Sequence, residues 1–66
     1  MRKEAKQALH DLVRDQLENI VNAGVHLNYV DKETGEFSAY SGRKTIEGKC
    51  DPLTAEVDWD QTSIWV

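Results

Sequence analysis

The spacing of apolar and polar positions changes character once along this chain, at Gly24. Before it, apolar residues recur at helical spacing. After it, they alternate with polar ones, and turn residues punctuate the alternation. At about 100° per residue, Ala5, Leu9, Leu12, Val13, Leu17, Ile20 and Val21 fall in one half of a helical wheel. The spacing predicts one amphipathic helix whose wide apolar face packs on a sheet or another helix. Asn22-Ala23-Gly24 supplies its stop, with Gly24 placed to take the left-handed conformation. Arg2 and Lys6 fall inside the apolar arc, so the first turn is expected to overhang the core or fray. Gln16 lies near the centre of the arc. If buried it needs hydrogen-bond partners, at the rim of the core or from another chain.

The second half reads as strands. Val25–Val30 and Glu36–Ser41 flank the polar segment Asp31-Lys32-Glu33-Thr34-Gly35, a hairpin signal with glycine where positive φ is needed. Pairing Tyr29 with Phe37 and Leu27 with Ala39 gathers Val25, Leu27, Tyr29, Phe37 and Ala39 on one face. A one-residue slip would divide them between both faces. Ser41-Gly42 marks the next turn, and Thr45 to Cys50 a short strand with Ile46 and Cys50 inward. Asp51-Pro52 breaks it. Leu53 to Asp60 then alternates apolar and polar, which predicts a half-buried strand with Trp59 inward. A short helix opening at Asp51-Pro52 is the competing reading. Gln61-Thr62-Ser63 is a polar link, and Ile64-Trp65-Val66 an apolar end that docks on the core, adds an edge strand or anchors a partner. The expected fold is α+β: one N-terminal amphipathic helix packed on a three- to four-stranded antiparallel meander, a single small domain over 1–66 with no internal repeat.

Length sharpens this picture. A chain of 66 residues buries only about 60% of its unfolded surface and is marginal without help. Cys50 is the sole cysteine, so no disulfide can form within the chain, and a lone thiol fits a reducing compartment. No apolar run is long enough to span a membrane, and the first residues lack the apolar block of a signal peptide. The expected location is the cytoplasm, that of the host cell if the protein is phage-encoded.

Charge is the main functional clue. The formal net charge is −4. Residues 1–24 are neutral, whereas residues 51–66 carry Asp51, Glu56, Asp58 and Asp60 and no basic group. Glu4, Asp11, Asp15 and Glu18 project within about 60° of one another on the helix. Asp11/Asp15 and Asp15/Glu18 are like-charge neighbours, each costing a few tenths of a kcal/mol, and Arg14 lies beside the stripe to offset them. Strand alternation would set Glu56, Asp58 and Asp60 on a solvent face about 6.8 Å apart. An acidic chain is repelled by nucleic acid and drawn to basic protein surfaces. A modest basic-aromatic patch at Tyr40, Arg43, Lys44 and Lys49 is opposed by the acidic final segment.

Catalytic and metal motifs are not found in the sequence. Gly42-Arg43-Lys44-Thr45 has the tail of a P-loop, but Phe37 stands where its first glycine belongs, Arg43 interrupts the Gly-Lys pair, and no βαβ frame exists. His10, His26, Cys50 and the carboxylates show no zinc spacing, and Asp31–Glu36 lacks the length and terminal glutamate of a calcium loop. No helix N-terminus is aimed at Cys50 to activate it, and so small a domain has little room for a pocket of about 300 Å³. No enzyme activity, cofactor or metal is expected.

The function expected from this is a small acidic protein-binding module, an inhibitor that occludes a basic nucleic-acid-binding surface of a larger protein. Glu56, Asp58, Asp60, Asp11, Asp15, Glu18 and Trp65 are the candidate partner-binding residues. In size and charge, though by no motif, the chain is similar to small acidic proteins of phages and mobile elements, some anti-CRISPR and anti-restriction proteins among them. Duplex DNA presents a charge every ~1.7 Å. The helix stripe offers one per ~5 Å from its ~1.5 Å rise, so imitation of DNA by the helix alone is weak. A protein-specific contact steered by acidic groups is easier to support. The alternative is a self-associating structural or regulatory domain, a two-fold dimer paired through its C-terminal edge.

Overall fold

A computed structural model describes residues 2–66, with side chains described from residue 8 onward. Helix α1 (Arg2–Val21) precedes strands β1 (His26–Val30), β2 (Glu36–Ser41), β3 (Lys44–Cys50) and β4 (Val57–Trp65). The strands form one antiparallel sheet in the order β1-β2-β3-β4, and the helix packs on one of its faces. This is the α+β meander that the periodicities predict. The expectations for the side chains of Arg2, Glu4, Ala5 and Lys6 lie outside the described residues.

The core lies between helix and sheet. Val13 and Leu17 are fully buried against Leu27, Phe37, Ala39, Ile46, Cys50 and Val57, with Leu9, Val21 and Val30 at the margin. Leu12 and Ile20 stay half exposed, so the helix rests on a narrower stripe than its apolar arc offers. Its stop also differs from expectation. Asn22, at φ 57°, takes the left-handed position, and its N–H donates to the Glu18 carbonyl at 2.8 Å. Asparagine tolerates that conformation because its short amide costs little there, which leaves Gly24 outside the cap.

Register departs from expectation at one residue in β1. Leu27 pairs with Ala39 as expected, but Tyr29 lies opposite Ser38 and Val30 opposite Phe37. Asn28 is an extra residue, a bulge that reverses which side chains face inward beyond it. Tyr29 therefore stands exposed, and Val30 takes the place beside Phe37.

The final segment departs further. Leu53 to Asp60 is not one strand. Residues 52–54 form a turn, Leu53 is almost fully exposed and Trp59 is 43% exposed. The turn repeats four hydrogen bonds of the first hairpin loop. In Asp31–Glu36, the Glu33 N–H donates to Asp31 Oδ1, the Gly35 N–H to the Asp31 carbonyl, the Asp31 N–H to the Glu36 carbonyl and the Glu36 N–H to Thr34 Oγ1. In Asp51–Glu56 the same four bonds join Leu53, Ala55, Asp51 and Glu56 to Asp51 Oδ1, the Asp51 carbonyl, the Glu56 carbonyl and Thr54 Oγ1. Both fifth positions have positive φ, 82° at Gly35 and 68° at Ala55. Local bonding by aspartate and threonine overrides period-two patterning here.

β4 begins after this turn and is itself interrupted. Lys49 pairs with Asp58 and Glu47 with Ser63, so residues 59–62 lie opposite Gly48 alone. Asp58 organises the bulge: its Oδ1 accepts the Asp60 N–H, its Oδ2 accepts Gln61 Nε2, and its carbonyl accepts Thr62 Oγ1. Gly48 is required because a Cβ there would overlap Thr62. Beyond the bulge, Ile64 pairs with Ile46 and Trp65 with Thr45. The apolar chain end thus adds to the sheet edge.

Candidate functional site

Polar groups on the helix fasten it to the sheet. Gln16 does this at the loop before β4. Its Nε2 donates to the Ala55 carbonyl, and its Oε1 accepts the Val57 N–H at 3.0 Å. One side-chain amide thus pairs with both backbone groups as a neighbouring strand would. Glu18 Oε2 accepts the Val25 N–H at 3.0 Å, and His10 Nε2 donates to the Leu27 carbonyl at 3.3 Å. Ser41 Oγ, itself buried, donates to the Gly24 carbonyl at 2.6 Å.

These bonds distribute the sequence-predicted residues over separate places. Asp11 and Asp15 stand exposed on the helix, each within 4 Å of the Arg14 guanidinium at 3.6 and 3.7 Å. Glu18 caps the chain entering β1. Glu56 and Asp58 meet beside Asp51 in a shallow depression of about 440 Å³ at the loop end of the sheet. Asp58 is engaged with the bulge and Asp60 lies on it, so the evenly spaced row of three carboxylates does not form. Trp65 lies toward the other end of β4, opposite Thr45.

The two similar loops join β1 to β2 and β3 to β4, so the meander places both at the same end of the sheet. That end holds Asp31, Glu33, Glu36, Asp51, Glu56 and Asp58. The β2–β3 turn with Arg43 and Lys44 is at the opposite end. The first loop stabilises its own carboxylate. The Glu33 and Thr34 amides donate to Asp31 Oδ1 and hold its carboxyl below the usual range.

The sheet face away from the helix carries no second layer among the described residues. Strand pairing arranges it in rows. One row holds His26, Tyr40, Thr45 and Trp65, with the His26 and Tyr40 rings stacked at 4.9 Å. The next holds Tyr29, Ser38, Glu47 and Ser63, and a third Glu36, Lys49 and Asp58. The small side chains of Gly48 and Ser63 leave room for a shallow groove of about 420 Å³ lined also by Tyr29, Trp65 and Glu47. Tyr29, Tyr40 and Trp65 are about half exposed. Sequence reasoning missed this groove because Tyr29 faces outward only through the Asn28 bulge. The cue available was Glu47, a carboxylate in mid-strand beside the buried Ile46.

Cys50 is buried, and burial pushes its thiol above its ordinary range, with the neighbouring Asp51 carboxylate adding to the effect. Neither change favours a thiolate nucleophile. Among the described residues, no group of His, Cys, Asp and Glu is arranged to hold a metal. No described helix is long and apolar enough to cross a membrane. Comparison with protein-family models, with curated proteins and with solved structures finds no match to this chain.

Proposed function

We propose that this chain is an acidic protein-binding module that docks its uncovered sheet face, and the carboxylate-rich loop end beside it, on a basic surface of a larger protein. The observation that carries the reading is the uncovered face itself, with Tyr29, Tyr40 and Trp65 half exposed on it and a groove lined by Tyr29 and Trp65. Aromatic residues are enriched at the energetic centres of interfaces, and nearby carboxylates steer a basic partner into place. Basic surfaces of sufficient extent are commonly those that hold nucleic acid. Occlusion of such a site makes the module an inhibitor of the protein it binds.

Tagged protein used to capture partners from a host lysate at two salt concentrations tests this. A stoichiometric partner with a nucleic-acid site, retained at low salt and lost at high salt, supports the reading. The combined variant Glu56→Lys/Asp58→Lys should weaken capture through lost steering, and Tyr29→Ser/Trp65→Ser through lost contact. Capture unchanged by both pairs of substitutions would remove the face and the loop end from consideration.

A further inference from the structure

Glu47 stands near the middle of the uncovered face, with small serines on either side in its row. Among the described residues, no ion pair reaches it. A partner that covers this face takes Glu47 out of water. An unpaired carboxylate cannot be covered cheaply, so the partner must bring a cation to it.

From the groove around it, we infer that the site is a socket for an arginine side chain presented by a partner protein. This deepens the docking reading given above and rests on it. The Glu47 carboxylate offers two oxygens to the fork of a guanidinium, and the Ser63 hydroxyl offers a further acceptor at the same groove wall. Tyr29 and Trp65 border the groove, and aromatic faces attract a guanidinium plane more readily than a strongly hydrated ammonium. Glu36 and Glu47 oppose one cation, Lys49, in the lining, which leaves it one net negative charge. Lys49 is itself set between Glu36 and Asp58 by the pairing of β2, β3 and β4. An anion would meet Glu36 and Glu47 in that lining, and a purely apolar occupant would leave the groove's net negative charge without a counter-ion.

The test is a titration of the full chain, followed by amide and indole N–H resonances, with blocked arginine (N-acetyl-arginine amide). Blocked citrulline, of the same shape without the charge, and blocked lysine serve as comparisons. Arginine should move the Glu47, Gly48 and Ser63 amides and the Trp65 indole N–H. Glu47→Gln, an exposed substitution that leaves the core untouched, should weaken that response at least fivefold. Citrulline should leave these resonances in place, and lysine should bind more weakly than arginine. Equal responses to citrulline or lysine, an unchanged response in Glu47→Gln, or shifts confined to Asp11, Asp15 and the hairpin loops would each overturn the socket. Lysate capture separates the two levels. If Glu47→Gln retains a partner that Tyr29→Ser/Trp65→Ser loses, the docking face stands and the arginine socket falls.

Discussion

Among the described polar residues of the helix, Gln16 has the most to lose. Its amide satisfies the carbonyl of Ala55 and the N–H of Val57 together, two backbone groups at the point where the chain leaves a left-handed residue and enters β4. Gln16→Leu keeps the volume and removes both partners. Loss of a partner from a largely desolvated backbone group costs about 1–3 kcal/mol, and a fall of that size in unfolding free energy should appear as a lower urea midpoint. Stability unchanged in Gln16→Leu would mean that water replaces the amide at no cost. Asp31 makes a second prediction at this scale, with pH as the variable. Backbone amides hold its folded pKa below the ordinary range of an aspartate, so the folded loop binds fewer protons than the unfolded chain. Its contribution is therefore present above the unfolded pKa and lost as pH falls through the lower folded one. Asp31→Asn keeps an oxygen in the loop but cannot ionise. A urea midpoint followed from neutral pH down to pH ~2 should fall less steeply for the variant across that acid range. Parallel profiles would assign the acid sensitivity to other carboxylates.

At the scale of elements, the paired hairpin loops are an experiment already half performed. Asp31-Lys32-Glu33-Thr34-Gly35-Glu36 and Asp51-Pro52-Leu53-Thr54-Ala55-Glu56 close the same hydrogen bonds, yet one has glycine at positive φ and the other alanine. An L-residue in that region costs about 1–2 kcal/mol. Ala55 tolerates it because its methyl is buried and Gln16 holds its carbonyl. Gly35 has no such freedom, since a Cβ there would overlap the Cys50 carbonyl and crowd Pro52. Gly35→Ala should therefore destabilise by about 2 kcal/mol or more. Ala55→Gly exchanges relief of backbone strain for a lost methyl contact and greater unfolded-state entropy, and should stay within about 1 kcal/mol of the native chain. Thermal or urea unfolding of the two variants reads the difference directly, and equal losses would refute this account of the loops. The same elements show what was legible beforehand. Helix, hairpin and β3 follow from apolar spacing, because their side chains meet a common core. Leu53–Asp60 misled because its alternation is real but local: Asp51, Thr54 and the left-handed Ala55 settle the backbone before any face is buried. Tyr29 misled because the extra residue at Asn28 leaves no mark on composition. The partner-facing side chains were the least legible, since exposure of a tyrosine or a glutamate depends on which face the helix covers.

For the whole molecule, the sheet's two edges decide between docking on a partner and adding to a second copy. A free edge strand invites pairing when it is long, flat and regular. β1 has five residues and a bulge at Asn28. β4 is longer, but residues 59–62 bulge out opposite Gly48, held by hydrogen bonds to Asp58, and leave only a short regular stretch near Ile64 and Trp65. Asp58 and Asp60 also set negative charge on this edge strand. Bulges and charge of this kind are how edges are kept from extending. The uncovered face, by contrast, presents side chains rather than backbone groups, with Tyr40 and Glu47 on the two inner strands. The chain should therefore remain monomeric by light scattering from low to high micromolar concentration, with the combined fluorescence of Trp59 and Trp65 unchanged across the series. A dimer that Tyr29→Ser/Trp65→Ser leaves intact would place backbone pairing at a sheet edge, rather than the sheet face, at the centre of what this protein binds.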